Sequence, residues 1–228
     1  MEEKSIVKFK KDEFAIKEYI KSILGKGKVS KVRIEYTPVG EKVIVSTNKP
    51  GLVIGRKGEK IDELTHTLKT KFKLENPRVE IDEIKQPEFD AQIVADDIAM
   101  ALERMGPLKF KVIAYRNLQK IMQAGAKGAE IVLGGKLPSS RAKSWRFQQG
   151  YLKKVGDSAK VVDKASAVAY TKPGAIGVKV SIFSPYAIQK DELKLDDEMI
   201  EKIRINYTTA EIEPEKKTKV RRKSKWQH

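Results

Sequence analysis

Two glycines three positions apart, Gly55 and Gly58, enclose a pair of cations, Arg56 and Lys57. An apolar stretch precedes this Gly-x-x-Gly segment, and a helical pattern follows it. Glycine lets the backbone turn tightly and lets a sugar-phosphate chain approach without interference from a Cβ atom. Unpaired N–H groups at the start of a helix also attract phosphate, and Lys60 adds a cation to the first turn. These residues predict a loop that binds an RNA backbone.

A second group of cations lies between Lys136 and Arg146, in a segment rich in glycine, serine and proline that we interpret as a connection between elements. Arginine and lysine bind phosphates, and an aromatic ring can stack on an unpaired base. Trp145 and Phe147 alternate with these cations. We expect both rings in the protein core, with base stacking as the alternative. The candidate RNA-binding residues of this segment are Lys136, Arg141, Lys143 and Arg146.

The sequence offers little that could support catalysis. It contains no cysteine, so a thiol nucleophile and a thiolate zinc site are excluded, and the two histidines, His66 and His228, are far apart. The adjacent Asp96 and Asp97 lie on a predicted helix, where side chains point about 100° apart and do not form a two-metal site by themselves. For these carboxylates and Glu103 we expect capping and surface ion pairing. We predict no enzyme activity, no cofactor and no metal.

The charge balance favours a polyanionic partner. Lys and Arg number 47 against 31 Asp and Glu, a net charge of +16 in 228 residues. Each phosphate that such a protein neutralises releases a condensed counterion, which makes nucleic acid the leading candidate. No stretch is long and apolar enough to span a membrane, and the first residues do not read as a leader. We expect a cytoplasmic protein without membrane contact.

Hydrophobic periodicity predicts an α+β architecture. The first half is expected to contain, in order, a helix, two strands, the glycine loop, a helix, a strand and a long amphipathic helix. The first helix should begin at a cap, Asp12, and end at Gly25. The last should end at Gly106 and Pro107, where we place a domain boundary.

The second half is predicted to be a helix over residues 109–124 packed on a mostly antiparallel sheet. Strands are expected near residues 131–133, 151–152, 161–162, 168–170 and 178–182. The predicted division is therefore a domain over 1–106, a second domain over 107–190 and a tail over 191–228. The tail is acidic and then basic, without an apolar period, and we expect it to be flexible, extended or disordered.

Several motifs in one order resemble the small ribosomal subunit protein S three family, in the branch found in archaea and the eukaryotic cytosol. The likeness covers roughly residues 12 to 184. The matching segments are residues 50–58, 87–91, 94–96 and 102–104 in the first half, and 125–130, 135–137, 141–144 and 177–180 in the second. A single Gly-x-x-Gly segment is weakly specific, whereas this set spans both predicted domains.

The resemblance implies a type II KH domain, with a three-stranded sheet, helices and the Gly-x-x-Gly loop, followed by an α/β domain. It also implies a place in the head of the small ribosomal subunit. There the protein would bind small-subunit ribosomal RNA, contact neighbouring head proteins and border the channel through which messenger RNA enters.

Bacterial members of the family are linked to the unwinding of messenger RNA, through basic residues near the start of the second domain's first helix. The matching helix here carries Lys109, Lys111, Arg116 and Lys120, whereas Val112 and Tyr115 stand at two positions that are basic in those relatives. Lys127, within a matched segment, is a further candidate for RNA contact.

A structural ribosomal protein without catalytic turnover is the function we expect. On this interpretation residues 136–146 anchor ribosomal RNA, while Arg56 and Lys57 face messenger RNA or the subunit head. Two alternatives remain open, namely an enzyme that nicks or unwinds nucleic acid outside the ribosome and a free KH adaptor for single-stranded RNA. No nucleotide-binding loop supports the first, and the second domain argues against the other.

Overall fold

The computed structural model describes residues 2–38, 40–72, 74–139, 141–188 and 199–205. The chain divides into one unit of residues 1–189 and another from 190 onward. In the second unit the described residues form a short helix over 199–205. The rest of the predicted flexible tail lies outside the described residues. The elements with candidate functional residues all belong to the first unit.

The first half of this unit is a three-stranded sheet with helices. Strands β1 and β2 are antiparallel, and β3 runs parallel to β2, in the order β1-β2-β3. A parallel pair needs a crossover connection, and the glycine loop and its helices supply it. This confirms the predicted order of elements. The bounds are α1 (Glu2–Leu24), β1 (Val32–Thr37), β2 (Gly40–Thr47), α2 (Pro50–Ile54), α3 (Glu59–Phe72) and β3 (Arg78–Glu83).

Helix α1 begins about three turns before the predicted cap, so the prediction that it starts at Asp12 was wrong. No glycine or proline interrupts the preceding residues, and Glu13 pairs with both Lys10 and Lys17 on adjacent turns. Phe9 packs its ring 4.7 Å from that of Tyr36 on β1. Good helix formers and these side-chain pairs therefore extend the helix beyond the periodic stretch.

The second half is a four-stranded, fully antiparallel sheet in the order β5-β4-β7-β6. Two helices, α4 and α5, pack on one face of this sheet. Alternate residues of the central strands point to that face and are buried there. The predicted antiparallel sheet is confirmed. The bounds are α4 (Ala91–Met105), α5 (Phe110–Gln123), β4 (Gly128–Gly135), β5 (Lys143–Gly150), β6 (Asp163–Thr171) and β7 (Gly174–Phe183).

Three local predictions in this half were wrong. Residues 143–150 form the edge strand β5 rather than part of a connection, while 151–152 and 161–162 are not strands. Tyr151 directly follows β5 and hydrogen-bonds its N–H to the Lys127 carbonyl, 2.9 Å away. The alternation of Trp145 and Phe147 with polar residues was the signal for the strand.

Helix α4 buries its apolar face in the second core rather than the first. Ala91, Ala95, Ile98, Ala99 and Leu102 are fully buried there. The inward residues of the facing strand β6 are alanines too, so helix and sheet approach closely. The boundary predicted at 106 places this helix with the first sheet, whereas its packing is with the second. The division of residues 1–190 into two domains at 106 stays a prediction.

Candidate nucleic-acid interface

The Gly-x-x-Gly loop owes its shape to its two glycines. Gly55 ends α2 with φ 75° and ψ −173°, a combination that only glycine adopts readily, and Gly58 has φ 87°. Between them, Arg56 to Gly58 form one 3₁₀ turn in which Lys57 also has a positive φ of 53°. A Cβ atom on Gly55 would lie 2.9 Å from Cγ of Lys60. The loop is therefore a tight turn that presents its two cations to solvent.

Acidic residues limit the direction from which an anion can reach this loop. Arg56 and Lys57 line one open depression together with Glu59, Asp62 and Glu63 of α3. Lys60 is exposed and directs its Nζ towards the Leu52 carbonyl oxygen at 3.4 Å. A phosphate that approaches along α3 meets repulsion from three carboxylates, while one that approaches the tip meets the two cations first. The loop tip is thus the favourable position for a phosphate.

Apart from Lys127, the predicted cations of the second half are exposed, but they do not form one patch. Lys111, Arg116 and Lys120 lie on α5 and Lys109 lies just before it. Among them stand Val112 and Tyr115, with 67% and 59% of their surface exposed. The exposed side of α5 is therefore basic with an apolar interruption, and no run of cations continues along it.

Aromatic rings join α5 to the edge strand β5. The Phe110 ring lies 5.4 Å from that of Trp145, and the Tyr115 ring lies 5.1 Å from that of Phe147. The Nζ of Lys111 sits 4.8 Å above the Trp145 ring, in cation–π geometry. Phe147 is buried, as predicted, whereas Trp145 is 36% exposed, so the core prediction is confirmed for one ring of the two.

Strand alternation separates two cations that the sequence places close together. Lys143 shares its face of β5 with Trp145 and Phe147, on the side of α5, while Arg146 points to the opposite face. There the Nε of Arg146 lies 2.7 Å from Glu130 Oε1, and Lys154 binds the same carboxylate at 3.0 Å. Sequence reasoning did not identify Glu130, because register alone brings it beside Arg146.

The remaining candidates occupy connections. Lys136 and Arg141 are exposed between β4 and β5. Lys127 is half-buried before β4, with its Nζ 5.5 Å from the centre of the Phe183 ring. The structure therefore divides the predicted residues among the glycine loop, the α5 side of the second sheet, its opposite face and two connections.

The carboxylates of α4 have structural partners. Asp96, predicted as a surface residue, is buried and accepts hydrogen bonds from the Gly27 N–H at 2.9 Å and from Gln92 Nε2 at 3.1 Å. Burial raises its pKa above the usual value, although these hydrogen bonds oppose the shift. Glu103 accepts from the Tyr170 N–H at 2.9 Å and from Lys26 at 3.0 Å. These two contacts, the backbone one foremost, lower the pKa of Glu103.

Neither a metal site nor a membrane span emerges in the part of the chain that the structure describes. Its His, Asp and Glu residues form no cluster of three that could hold a metal ion. Its helices are also too short or too polar to cross a bilayer.

The fold and the glycine loop together define a protein with an amino-terminal KH domain. The family model described as KH domain matches residues 15–89, which contain both the three-stranded sheet and the loop. The model described as ribosomal protein S3, C-terminal domain, matches residues 98–182, which contain the second half of α4, all of α5 and nearly all of the four-stranded sheet.

Curated relatives match nearly the whole chain. The small ribosomal subunit protein uS3 of Methanocaldococcus jannaschii is 40% identical over 87% of this chain and 95% of its own length. The proteins of the same name from Methanosphaera stadtmanae and Methanococcus aeolicus are 38% and 35% identical, over 86% of this chain and 78% and 94% of their lengths. The chain belongs to the small ribosomal subunit protein uS3 family, and the resemblance seen in the sequence is confirmed.

Proposed function

We propose that the protein is a structural component of the small ribosomal subunit, without catalytic turnover. It works in the cytoplasm, where it binds ribosomal RNA and proteins of the subunit head and borders the channel through which messenger RNA enters. The observation that carries this proposal is the similarity to proteins named as uS3 across both halves of the chain. The net charge of +16 supports it, because a polyanion is the natural partner of such a surface.

The geometry suggests how the contacts are divided. Arg141 and Lys143 are exposed at the end of the second sheet that holds the aromatic rings and α5, and we assign ribosomal RNA to this region. Arg146 has part of its charge satisfied by Glu130, which makes it the weaker anchor. The glycine loop belongs to the other half of the protein and accepts phosphate at its tip, so we assign it to messenger RNA or to the subunit head.

Charge reversal tests the two regions separately. The double variant Arg141→Asp with Lys143→Asp should reduce association with small subunits by about tenfold or more, because charge-assisted contacts to phosphate become repulsive. Arg56→Asp with Lys57→Asp should leave association nearly unchanged and weaken the binding of messenger RNA to the assembled subunits. Association is measured by sedimentation of tagged protein with subunits that lack their own copy, at moderate salt.

Lys69→Asp with Lys85→Asp is the matched control, since it changes the net charge equally at exposed positions outside the candidate regions. Normal association of the Arg141 and Lys143 variant would show that the RNA anchor lies elsewhere. If the unaltered protein stayed free of subunits, the ribosomal role itself would be wrong.

A further inference from the structure

Four lysines that the sequence did not single out converge on one pocket between the two halves of the first unit. Lys17 and Lys21 come from α1, Lys31 from the connection to β1, and Lys164 from the edge strand β6. They surround a cavity of about 240 Å³. The other lining residues are Ser30, Val32, Gln92, Asp163 and Ala165. We call this site the lysine pocket.

The charge of the lysine pocket is only partly compensated. Its single lining carboxylate, Asp163, lies 3.0 Å from the Nζ of Lys31, and Glu13 on the adjacent turn of α1 pairs with Lys17. Within the described residues, neither Lys21 nor Lys164 has a carboxylate at ion-pair distance. Four lysines that line one small cavity give it an excess of positive charge, and an anion bound there would reduce their mutual repulsion.

Ordinary structural roles explain each lysine alone but not their convergence. Lys21 lies in the last turn of α1, where a cation is favoured by the helix dipole. Lys164 lies on an edge strand, where lysine discourages pairing with another chain. Neither role requires both side chains to face the cavity that Lys17 and Lys31 also line. The concave shape and shared charge are properties of an anion site.

We propose that the lysine pocket binds a phosphate group of an RNA backbone, as a contact separate from the glycine loop and from α5. This inference rests on the proposed RNA-binding function and deepens it. Among the described residues, the lining contains no aromatic ring on which a base could stack, so the pocket recognises the phosphodiester rather than the sequence. Ser30 and Gln92 are satisfied by Asp90 and Asp96, which leaves the lysines as the binding groups.

The test uses the full chain with the double variant Lys21→Glu and Lys164→Glu. These two lysines are chosen because Lys17 and Lys31 hold ion pairs that support the fold. Lys69→Glu with Lys85→Glu is the matched control for net charge. The probe is an RNA duplex of about 16 base pairs, and affinity is measured by fluorescence anisotropy from about 50 to 200 mM salt.

The pocket variant should bind more weakly than the control, and the slope of log affinity against log salt should fall by roughly one for each phosphate that the variant no longer neutralises. Lysine acetylation followed by mass spectrometry should show that RNA protects Lys21 and Lys164 in the unaltered protein. Inorganic phosphate at the same phosphate concentration should protect them far less, which separates an RNA backbone from free phosphate. The milder Lys21→Gln with Lys164→Gln variant replaces the reversal if melting shows that the latter is unfolded.

Equal salt slopes for pocket variant and control, or acetylation of both lysines unaffected by RNA, would overturn the proposal. Protection by an acidic peptide such as polyglutamate, but not by RNA, would assign the pocket to a protein partner and overturn it as well. If the unaltered chain binds RNA and the pocket variant binds it as tightly as the control does, the lysine pocket proposal fails but the proposed function stands. If the unaltered chain binds no RNA and no subunits, the proposed function fails with it.

Discussion

Asp96 is a carboxylate that helix α4 carries into the protein interior, with only 7% of its surface exposed. Its main structural task is to accept the Gly27 N–H, 2.9 Å away, at the turn that follows α1. Asp96→Ala leaves that buried donor unsatisfied and should lower the free energy of unfolding by about 1–3 kcal/mol in a urea titration. Asp96→Asn keeps an acceptor oxygen, so its free energy of unfolding should fall much less. Equal losses in the two variants would contradict this role.

Because the pKa of Asp96 is raised, the difference in stability between the unaltered protein and Asp96→Asn should depend on pH. Because burial favours the neutral form, the folded state holds the proton more tightly than the unfolded state, whose pKa is near 3.8. The Asp96 contribution to stability is therefore greatest below that value and declines as the pH rises through the raised pKa. Asparagine does not titrate, so Asp96→Asn should gain stability relative to the unaltered protein as the pH increases across this window. Glu103, whose pKa is lowered, is present in both proteins, so its contribution to the pH dependence of stability cancels in the comparison.

Among the elements, those with a strong local pattern could be predicted and those fixed by tertiary pairing could not. The turn of the glycine loop was predictable because Gly55 and Gly58 permit a backbone geometry that other residues rarely adopt. Strand β5 was missed because its polar residues are exposed at a sheet edge, so only two apolar residues mark its buried face. The pairing of Arg146 with Glu130 depends on the β4 and β5 register, which no local pattern encodes.

Strand β4 begins where the chain leaving β5 crosses it, and only a glycine fits at that crossing. A Cβ atom on Gly128 would lie 2.1 Å from the Tyr151 carbonyl oxygen and 2.6 Å from its nitrogen. Both contacts are with backbone, so Gly128→Ala must displace a strand end rather than a side chain. We expect a loss of about 1–3 kcal/mol or more in the free energy of unfolding. Gly134→Ala on the same strand is the control, since its Cβ would lie 3.6 Å from Ser144 Oγ, an ordinary contact. Similar stabilities for the two variants would show that the crossing can relax.

Over the first unit as a whole, polar contacts link the segment between α1 and β1 to α4 and β6, and we call these contacts the polar joint. Lys26 donates to Glu103 at 3.0 Å and to the Val168 carbonyl oxygen at 2.9 Å, and Lys31 pairs with Asp163 at 3.0 Å. The joint links the half that carries the glycine loop to the half that carries the second sheet. Lys31 and Asp163 of the joint also line the lysine pocket.

Removal of this joint should separate the unfolding of the two halves. Lys26→Ala with Lys31→Ala deletes both ion pairs and the bond to Val168, at a combined cost of about 1–3 kcal/mol, because the groups are partly exposed. The two hydrophobic cores are distinct clusters, so each half can retain its own core when the polar links are removed. Calorimetry should then show a broadened or double transition in place of one cooperative peak. Lys10→Ala with Lys160→Ala is the control, since it removes two lysines from ion pairs that each lie within one half. A single sharp transition in the joint variant, shifted no more than in the control, would mean that the remaining contacts between the halves make them unfold together. These contacts include the hydrogen bonds of Asp96 with Gly27 and of Asp90 with Ser30.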